Sequence, residues 1–192
     1  TVATGTLVSG RVEIDQSLVV LPRQRVAKVR GLQVHGRAQV AAEAGRRVAI
    51  NLGGVDVAEL ARGDTLADRG AFEATRRFDA RLDLLAEAPP LRQGARVRFH
   101  GGTVELLGRV ALSEPSHGEA YARIHLESPA VVTRGDRFIL RAYSPLATIG
   151  GGVVLDPRPP RVSIRSATGG RRLRELDTHT PVDDAALAVL VT

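Results

Sequence analysis

Apolar and polar residues alternate in short runs up to about residue 156, and Gly, Pro and Asp separate the runs. The clearest run spans residues 77–84, where Phe78, Ala80, Leu82 and Leu84 alternate with charged residues. Successive side chains of a β-strand point to opposite faces, so this pattern predicts strands with one apolar and one solvent-facing side. Many short strands with turn residues between them are typical of all-β barrels or sandwiches. We therefore predict a mainly β fold.

Turn-forming residues divide this β-rich part into two segments. A polar break at residues 68–71 ends one strand pattern and precedes the next long strand. We predict one β-barrel over residues 1–70 and a second over residues 71–156, lengths that suit small domains. The chain begins with Thr1 and contains no Met, so we expect it to be part of a longer protein.

The C-terminal residues have a different character. Residues 157–170 are rich in Pro, Gly and Arg, a composition that predicts a linker. Within residues 171–192, the runs 171–177 and 182–191 are predicted to be helical, and the polar residues between them offer a helix cap. The expected order is therefore barrel, barrel, linker and the start of a helical domain.

The charge of the chain favours an anionic partner. Its formal net charge is +6, and Lys28 is the only lysine among the basic residues. Arg neutralises phosphates and releases counterions, so the excess favours contact with nucleic acid. An alternative is that frequent Arg and Ala reflect only a GC-rich genome. Aromatic residues make up 3% of the chain, which argues against a surface that stacks single-stranded bases.

Motifs for catalysis and for cofactor binding are not found. Lys28 lies in a strand-like run without the glycines of a phosphate-binding loop. The glycines at 150–152 lead into an apolar strand-like run rather than a helix, and are expected to serve close backbone packing. The five His residues are scattered and there is no Cys, so a metal site is not expected. We predict that this chain alone is not an enzyme and holds no cofactor.

No apolar run approaches the roughly 20 residues that a membrane-spanning helix needs, and no signal-peptide pattern opens the chain. The expected protein is cytoplasmic and has no membrane partner.

Four segments together resemble the second and third domains of the translational GTPases, the family that includes elongation factor Tu. Residues 4–12 (TGTLVSGRV) resemble the first hairpin of domain two, and residues 60–67 (LARGDTLA) resemble its closing strand. Residues 134–138 (RGDRF) and 148–154 (TIGGGVV) resemble the end of domain three. Their order and spacing also agree with the family. The resemblance implies two consecutive β-barrels, followed here by a short C-terminal helical segment.

Within this family, three segments resemble the bacterial selenocysteine-specific elongation factor: residues 31–36 (GLQVHG), 96–103 (RVRFHGGT) and 143–152 (YSPLATIGGG). That family continues into winged-helix domains that bind an mRNA hairpin, so residues 171–192 are expected to be their beginning. The usual G-D dipeptide of the first hairpin is replaced around Asp15, which affects the geometry of the turn rather than a ligand.

The resemblance implies a tRNA carrier. A G domain that precedes Thr1 would bind GTP and Mg and, with the first barrel, would clamp the aminoacyl end of selenocysteyl-tRNA for delivery to the ribosome. The family's domain-two arginine, in the pattern A-G-x-R-V-A-x-N, falls on Arg47, which strand alternation independently places away from the core. An alternative is that Arg47 is a solvated surface arginine.

In the second barrel, Arg96, Arg98 and His100 match the region that meets the T-stem in elongation factor Tu, and they share one face of a predicted strand. Such a basic strip suits phosphates, although an ordinary solvent-facing strand would have the same pattern. Two other functions remain open. The chain could be the barrel module of another such GTPase, an initiation factor or the GTPase subunit of sulfate adenylylation. It could also be a basic β-barrel interaction module outside translation.

Overall fold

The computed structural model describes residues 1–114, 118–178 and 188–191. Its internal packing divides the chain into two compact units. The first contains residues 1–74 together with residues 188–191, and the second contains residues 75–114 and 118–178. The division after Ala74 lies just beyond the polar break at residues 68–71.

Short strands with one buried face form the first unit. In order along residues 1–74 they are β1 (Val2–Ser9), β2 (Arg11–Glu13), β3 (Ser17–Leu21), β4 (Arg25–Val34), β5 (Arg37–Gln39), β6 (Ala41–Glu43), β7 (Arg46–Gly53) and β8 (Thr65–Ala67). In β7, Val48, Ile50 and Leu52 are almost completely buried, and they pack in one core with residues from the other strands. The alternation in the sequence therefore identified the core face of this strand.

The second unit is a closed barrel followed by a helix. Its strands are β9 (Ala74–Leu84), β10 (Arg96–Gly101), β11 (Val104–Leu112), β12 (Glu119–Val131), β13 (Arg137–Ala142) and β14 (Thr148–Asp156), and the helix is α1 (Ala167–Asp177). The strands close in the order β10, β11, β12, β9, β14, β13. Phe78, Phe99 and Phe138 meet in the core with ring centroids 5.4–5.5 Å apart.

The glycines at 150–152 allow strands to approach closely, as the sequence predicted. A Cβ at Gly152 would lie 2.3 Å from the carbonyl oxygen of Arg81 and 2.7 Å from the ring of Phe138. A Cβ at Gly151 would lie 2.8 Å from the carbonyl oxygen of Phe138. A side chain at either position would therefore push β14 away from its neighbouring strands.

The segment that follows β14 packs against the barrel. Ile164 is buried with Leu155 and with Leu173 of α1. The Arg123 guanidinium donates to the carbonyl of Val162 at 2.9 Å. The helix begins at Ala167, earlier than the predicted residue 171, and the Ser166 hydroxyl caps it by accepting from the Gly169 amide at 3.0 Å. Two glycines in the first turn, poor helix formers, concealed this start in the sequence.

The last described residues form a strand, β15 (Ala188–Val191). It lies between β1 and β8 and pairs antiparallel with both. Since β3 also pairs with β4, the strands β3, β8, β15, β1, β7 and β4 form a closed circuit. The predicted helix over residues 182–191 is wrong for 188–191, and its other residues lie outside the described ones. A short apolar run does not by itself distinguish helix from strand, and here two open strand edges accept it.

Within the described ranges, no helix is long and apolar enough to cross a membrane.

Candidate nucleic-acid interface

Arg47 lies on the solvent side of the first barrel. It is exposed, whereas Val48, the next residue of β7, is 1% exposed. On one side Arg47 pairs in register with Thr6 of β1, which is also exposed. On the other side Val48 pairs with Val34, the last residue of β4, and His35 begins the turn that leads to β5. Arg47 and Thr6 therefore bring polar groups to one part of this surface.

A cavity of about 250 Å³ lies on the same strands, and its lining begins at Ala49, two residues after Arg47 on β7. Ala49 and Asn51 of β7 line it, together with Gly31 and Gln33 of β4. The register pairs Gly31 with Asn51 and Gln33 with Ala49. The small residues in this set leave the depression, and the two amides supply hydrogen-bonding groups at its wall. The first barrel thus combines a cation with a partly apolar recess.

Arg96, Arg98 and His100 share the outer face of β10 in the second barrel, as predicted. Val97 and Phe99, which alternate with them, are each 1% exposed. The residues of the predicted basic strip are therefore brought together on one strand, with their side chains partly exposed.

Two glutamates contact this strip, one from the adjacent strand β11 and one from β12, the strand beyond it. Glu127 accepts two hydrogen bonds from Arg96, from Nε at 2.8 Å and from Nη2 at 3.0 Å. Glu105 accepts from Nη1 of Arg98 at 3.0 Å. The hydrogen bond from Arg96 holds the pKa of the Glu127 carboxyl below its ordinary value, so Glu127 is charged at neutral pH. The strip is therefore less positive than its sequence suggests.

An aromatic ring also contacts the strip. The ring centroid of Tyr143 lies 4.5 Å from the guanidinium carbon of Arg96 and 5.7 Å from that of Arg98. Cations at these distances are attracted to the face of an aromatic ring. The contact limits where the two guanidinium groups point.

Register adds two further arginines to this surface. Arg109 of β11 pairs with Arg96, and Arg141 of β13 pairs with Arg98. Sequence reasoning missed Arg109 and Arg141, because they join the site by cross-strand register. It also missed Tyr143 and the roles of the two glutamates, because they join it through side-chain contacts with β10 that their own segments do not reveal.

Among the described residues, no cluster of three or more acidic, His or Cys side chains is placed to hold a metal ion.

Comparisons with known families agree along most of the chain. Residues 76–161 match the model of the β-barrel domain of the selenocysteine-specific elongation factor. Residues 1–67 match the model of elongation factor Tu domain 2. The selenocysteine-specific elongation factor of Desulfomicrobium baculatum is 37% identical over 162 residues, covering 82% of this chain. The chain belongs to the selenocysteine-specific elongation factor family.

Other members of the family support this assignment. The selenocysteine-specific elongation factor of Escherichia coli is 30% identical over 161 residues, covering 83% of this chain. A crystal structure of a bacterial selenocysteine-specific elongation factor matches 92% of this chain and 28% of its own, with a TM-score of 0.79 and 25% identity. The translation elongation factor SelB of Methanococcus maripaludis, at 23% identity, shows only that the fold is shared, with a TM-score of 0.72 over 82% of this chain and 40% of its own.

The selenocysteine-specific elongation factors that the chain matches are much longer than it is. It spans 26% of the Desulfomicrobium protein and 25% of the Escherichia protein. The chain is thus the β-barrel module of a translation elongation factor of this family, and the predicted resemblance to domains two and three of elongation factor Tu is confirmed.

Proposed function

We propose that the chain is the tRNA-binding portion of a GTP-dependent elongation factor that delivers selenocysteyl-tRNA to the ribosome for selenocysteine incorporation. The observation that carries the proposal is the place of Arg47: it lies on the solvent face of a barrel that matches elongation factor Tu domain 2. Relatives at 37% and 30% identity are selenocysteine-specific, and this supports the choice of amino acid.

Arg47 provides the chemistry for selecting selenocysteine over serine. A selenol ionises well below neutral pH, whereas a serine hydroxyl stays neutral. A guanidinium is permanently charged and donates in a fixed geometry, so it favours the selenolate by a charge-assisted hydrogen bond. Such a contact is worth about 1.5–3 kcal/mol, which corresponds to roughly ten- to hundredfold selectivity.

The second barrel holds the RNA stem in this proposal. Arg96, Arg98 and His100 lie on one outer strand face and are suited to phosphate oxygens. Contacts to phosphates position a nucleic acid without reading its sequence, so this barrel sets the register of the tRNA while the first barrel selects the amino acid.

The remaining activities belong to other parts of the parent protein. GTP and Mg would bind a G domain, which makes the parent a cytoplasmic GTPase. The mRNA hairpin would bind winged-helix domains that follow the barrels. The chain itself contributes no catalytic residue to this scheme.

The test uses the full-length parent protein in its GTP form. Its affinity for selenocysteyl-tRNA is compared with that for seryl-tRNA of the same tRNA body, in the wild type and in Arg47→Ala. We expect the wild type to prefer the selenocysteyl form, and the preference to fall by roughly ten- to hundredfold in the variant. Arg46→Ala is the matched control, since it removes a neighbouring exposed arginine of the same strand. Arg47→Lys keeps the charge but loses the planar fork, and should give an intermediate preference.

A wild type with no preference would reject the proposed selection and favour the barrel module of another translation-factor GTPase, such as an initiation factor or a sulfate adenylylation subunit. Equal affinity for aminoacylated and bare tRNA would instead favour a general basic interaction module. A preference that survives Arg47→Ala would keep the proposed function and move the selectivity to other residues.

A further inference from the structure

Two like charges lie directly opposite each other on the outer face of the second barrel. Arg98 of β10 pairs in register with Arg141 of β13. Like charges at directly opposed positions of neighbouring strands destabilise a sheet. An anion placed near both guanidinium groups would offset this repulsion.

The neighbouring arginine pair on the same face already has its anion. Arg96 is opposite Arg109, and Glu127 forms a bidentate ion pair with Arg96. Arg109 also contributes to lowering the pKa of the Glu127 carboxyl, so this one carboxylate faces both arginines.

The Arg98–Arg141 pair has no equivalent balance. Glu105 contacts only the Arg98 member, through Nη1 at 3.0 Å. In the part of the chain that the structure describes, the Arg141 guanidinium forms no ion pair. Its partner on the far side, in β14, is the neutral Thr148. The unbalanced charge on this face is therefore located at Arg141.

Buried nitrogens without partners mark the same place. The Nε atoms of Arg98 and Arg141 and the Nε2 atom of His100 are shielded from solvent, and none has a hydrogen-bond partner among the described residues. His100 is two residues beyond Arg98 on β10, on the same face. Polar groups that are buried without partners cost free energy, so a rotation of these side chains that brings the nitrogens to an acceptor-rich ligand would relieve that cost. Nε2 of His100 can donate to such a ligand when it carries the proton.

Tyr143 keeps this surface ordered. Its ring lies against both Arg96 and Arg98, and it follows Arg141 by two residues. Tyr143 is 43% exposed, so its ring packs on the guanidinium groups from outside rather than within the core. It thereby limits the directions that the arginine side chains can take.

We propose that Arg98, Arg141 and His100 form a binding site for one phosphodiester of the RNA stem, and that Tyr143 is a positioning residue for it. A phosphodiester offers two charged oxygens, which two guanidinium groups can share. The bound phosphate supplies the anion that the opposed arginines lack. This inference rests on the proposed function and adds Arg141 and Tyr143 to the residues that contact or orient the tRNA.

The test measures the affinity of the full-length parent in its GTP form for its aminoacyl-tRNA over a series of KCl concentrations. Arg141→Ala is expected to weaken binding by roughly tenfold at low salt. It should also reduce the slope of log affinity against log salt by about 0.7–0.9, as expected for one lost phosphate contact. Arg137→Ala removes an exposed arginine of the same strand and should leave both quantities near the wild-type values.

Stability separates a ligand-binding role from a structural one. Because Arg141 faces a like charge, Arg141→Ala should leave the melting temperature of the free protein unchanged or raise it. Tyr143→Ala should weaken tRNA binding while Tyr143→Phe keeps it. The loss of tRNA affinity caused by Tyr143→Ala should largely vanish in a protein that also carries Arg98→Ala, since the Tyr143 ring acts through the Arg98 side chain. If Arg141→Ala does not fold, Arg141→Gln removes the charge and serves for the same measurement.

The phosphate site would be overturned if Arg141→Ala had the wild-type tRNA affinity and the wild-type slope of log affinity against log salt. It would also be overturned if the variant had a lower melting temperature and an unchanged slope. Either result would leave the proposed function intact. A parent protein that does not bind the tRNA at all would instead overturn the proposed function. Equal losses in Arg141→Ala and Arg137→Ala would show a diffuse electrostatic effect and no defined site.

Discussion

Asp79 and Arg123 form a bidentate ion pair between β9 and β12, with Nε to Oδ1 at 2.7 Å and Nη2 to Oδ2 at 3.0 Å. The Asp79 side chain is completely buried and that of Arg123 nearly so. Arg172 of α1 donates to the same Asp79 carboxylate at 3.0 Å and also contacts Asp156. One buried carboxylate thus joins two strands of the second barrel to the helix that packs on it.

Replacing Asp79 by Asn should destabilise the second barrel strongly. Asn has a similar shape but no charge, so Arg123 loses its counter-ion and Arg172 keeps only Asp156, in a site with little water. Breaking a buried ion pair by removing one partner typically costs about 3–5 kcal/mol. Urea unfolding followed by far-UV circular dichroism measures the change. Asp83→Asn is the control, since Asp83 lies on the same strand with its side chain 55% exposed, and it should change stability by no more than about 0.5 kcal/mol. Similar midpoints for the two variants would contradict a stabilising role for the pair.

Two adjacent glycines of α1 should respond oppositely to alanine. A Cβ at Gly169 would lie 2.2 Å from the carbonyl oxygen of Ser163, whereas the first atom near a Cβ at Gly170 is an Arg174 nitrogen at 3.6 Å. Gly170→Ala should therefore stabilise by up to about 1 kcal/mol through helix propensity. Gly169→Ala should destabilise by about 1–3 kcal/mol, because the helix or the preceding turn must move. Thermal unfolding of both variants tests this. Stabilisation by both would mean that α1 does not pack closely on residue 163.

Acid should weaken the second barrel partly through His125. His125 is exposed at the surface, yet partial desolvation by its neighbours, and then the positive charges of Arg123 and Arg77, lower the pKa of its imidazole. The unfolded chain then binds a proton more readily than the folded one, so stability present above pH of about 6.5 is lost as the pH falls through the lower folded pKa. His125→Gln should lose less stability than the wild type between pH 7.5 and 5.5. Melting temperatures at both values measure this, and parallel losses in the two proteins would contradict it.

The features that could be predicted from the sequence are those that depend on a single segment, such as which face of a strand is buried. Alternation alone placed Val48 and Phe99 inside and Arg47 and Arg98 outside, because the faces of a strand follow from its own residues. The family motifs supplied the number and type of domains.

Features that depend on two distant segments were not predictable in this way. The Arg98–Arg141 pair arises from the register between β10 and β13, and the Asp79–Arg123 pair arises from contact between β9 and β12. For the same reason, β15 was read as a helix: its strand conformation is set by the backbone edges of β1 and β8, not by its own four residues. Local propensity gives way where tertiary pairing decides the conformation.

Neutralising Glu127 should strengthen RNA binding. Its pKa is lowered by the hydrogen bond from Arg96, so at neutral pH it places a negative charge on the face that is proposed to meet phosphates. In Glu127→Gln this repulsion is removed and Arg96 is released toward the RNA, so affinity for the tRNA should rise about two- to fivefold at low salt. The slope of log affinity against log salt should become steeper, by up to about 0.9, if Arg96 gains a phosphate. Glu87→Gln, an exposed change in a loop of the same unit, controls for the general effect of net charge. Weaker binding in Glu127→Gln than in Glu87→Gln would mean that Glu127 instead holds Arg96 in the orientation that binds.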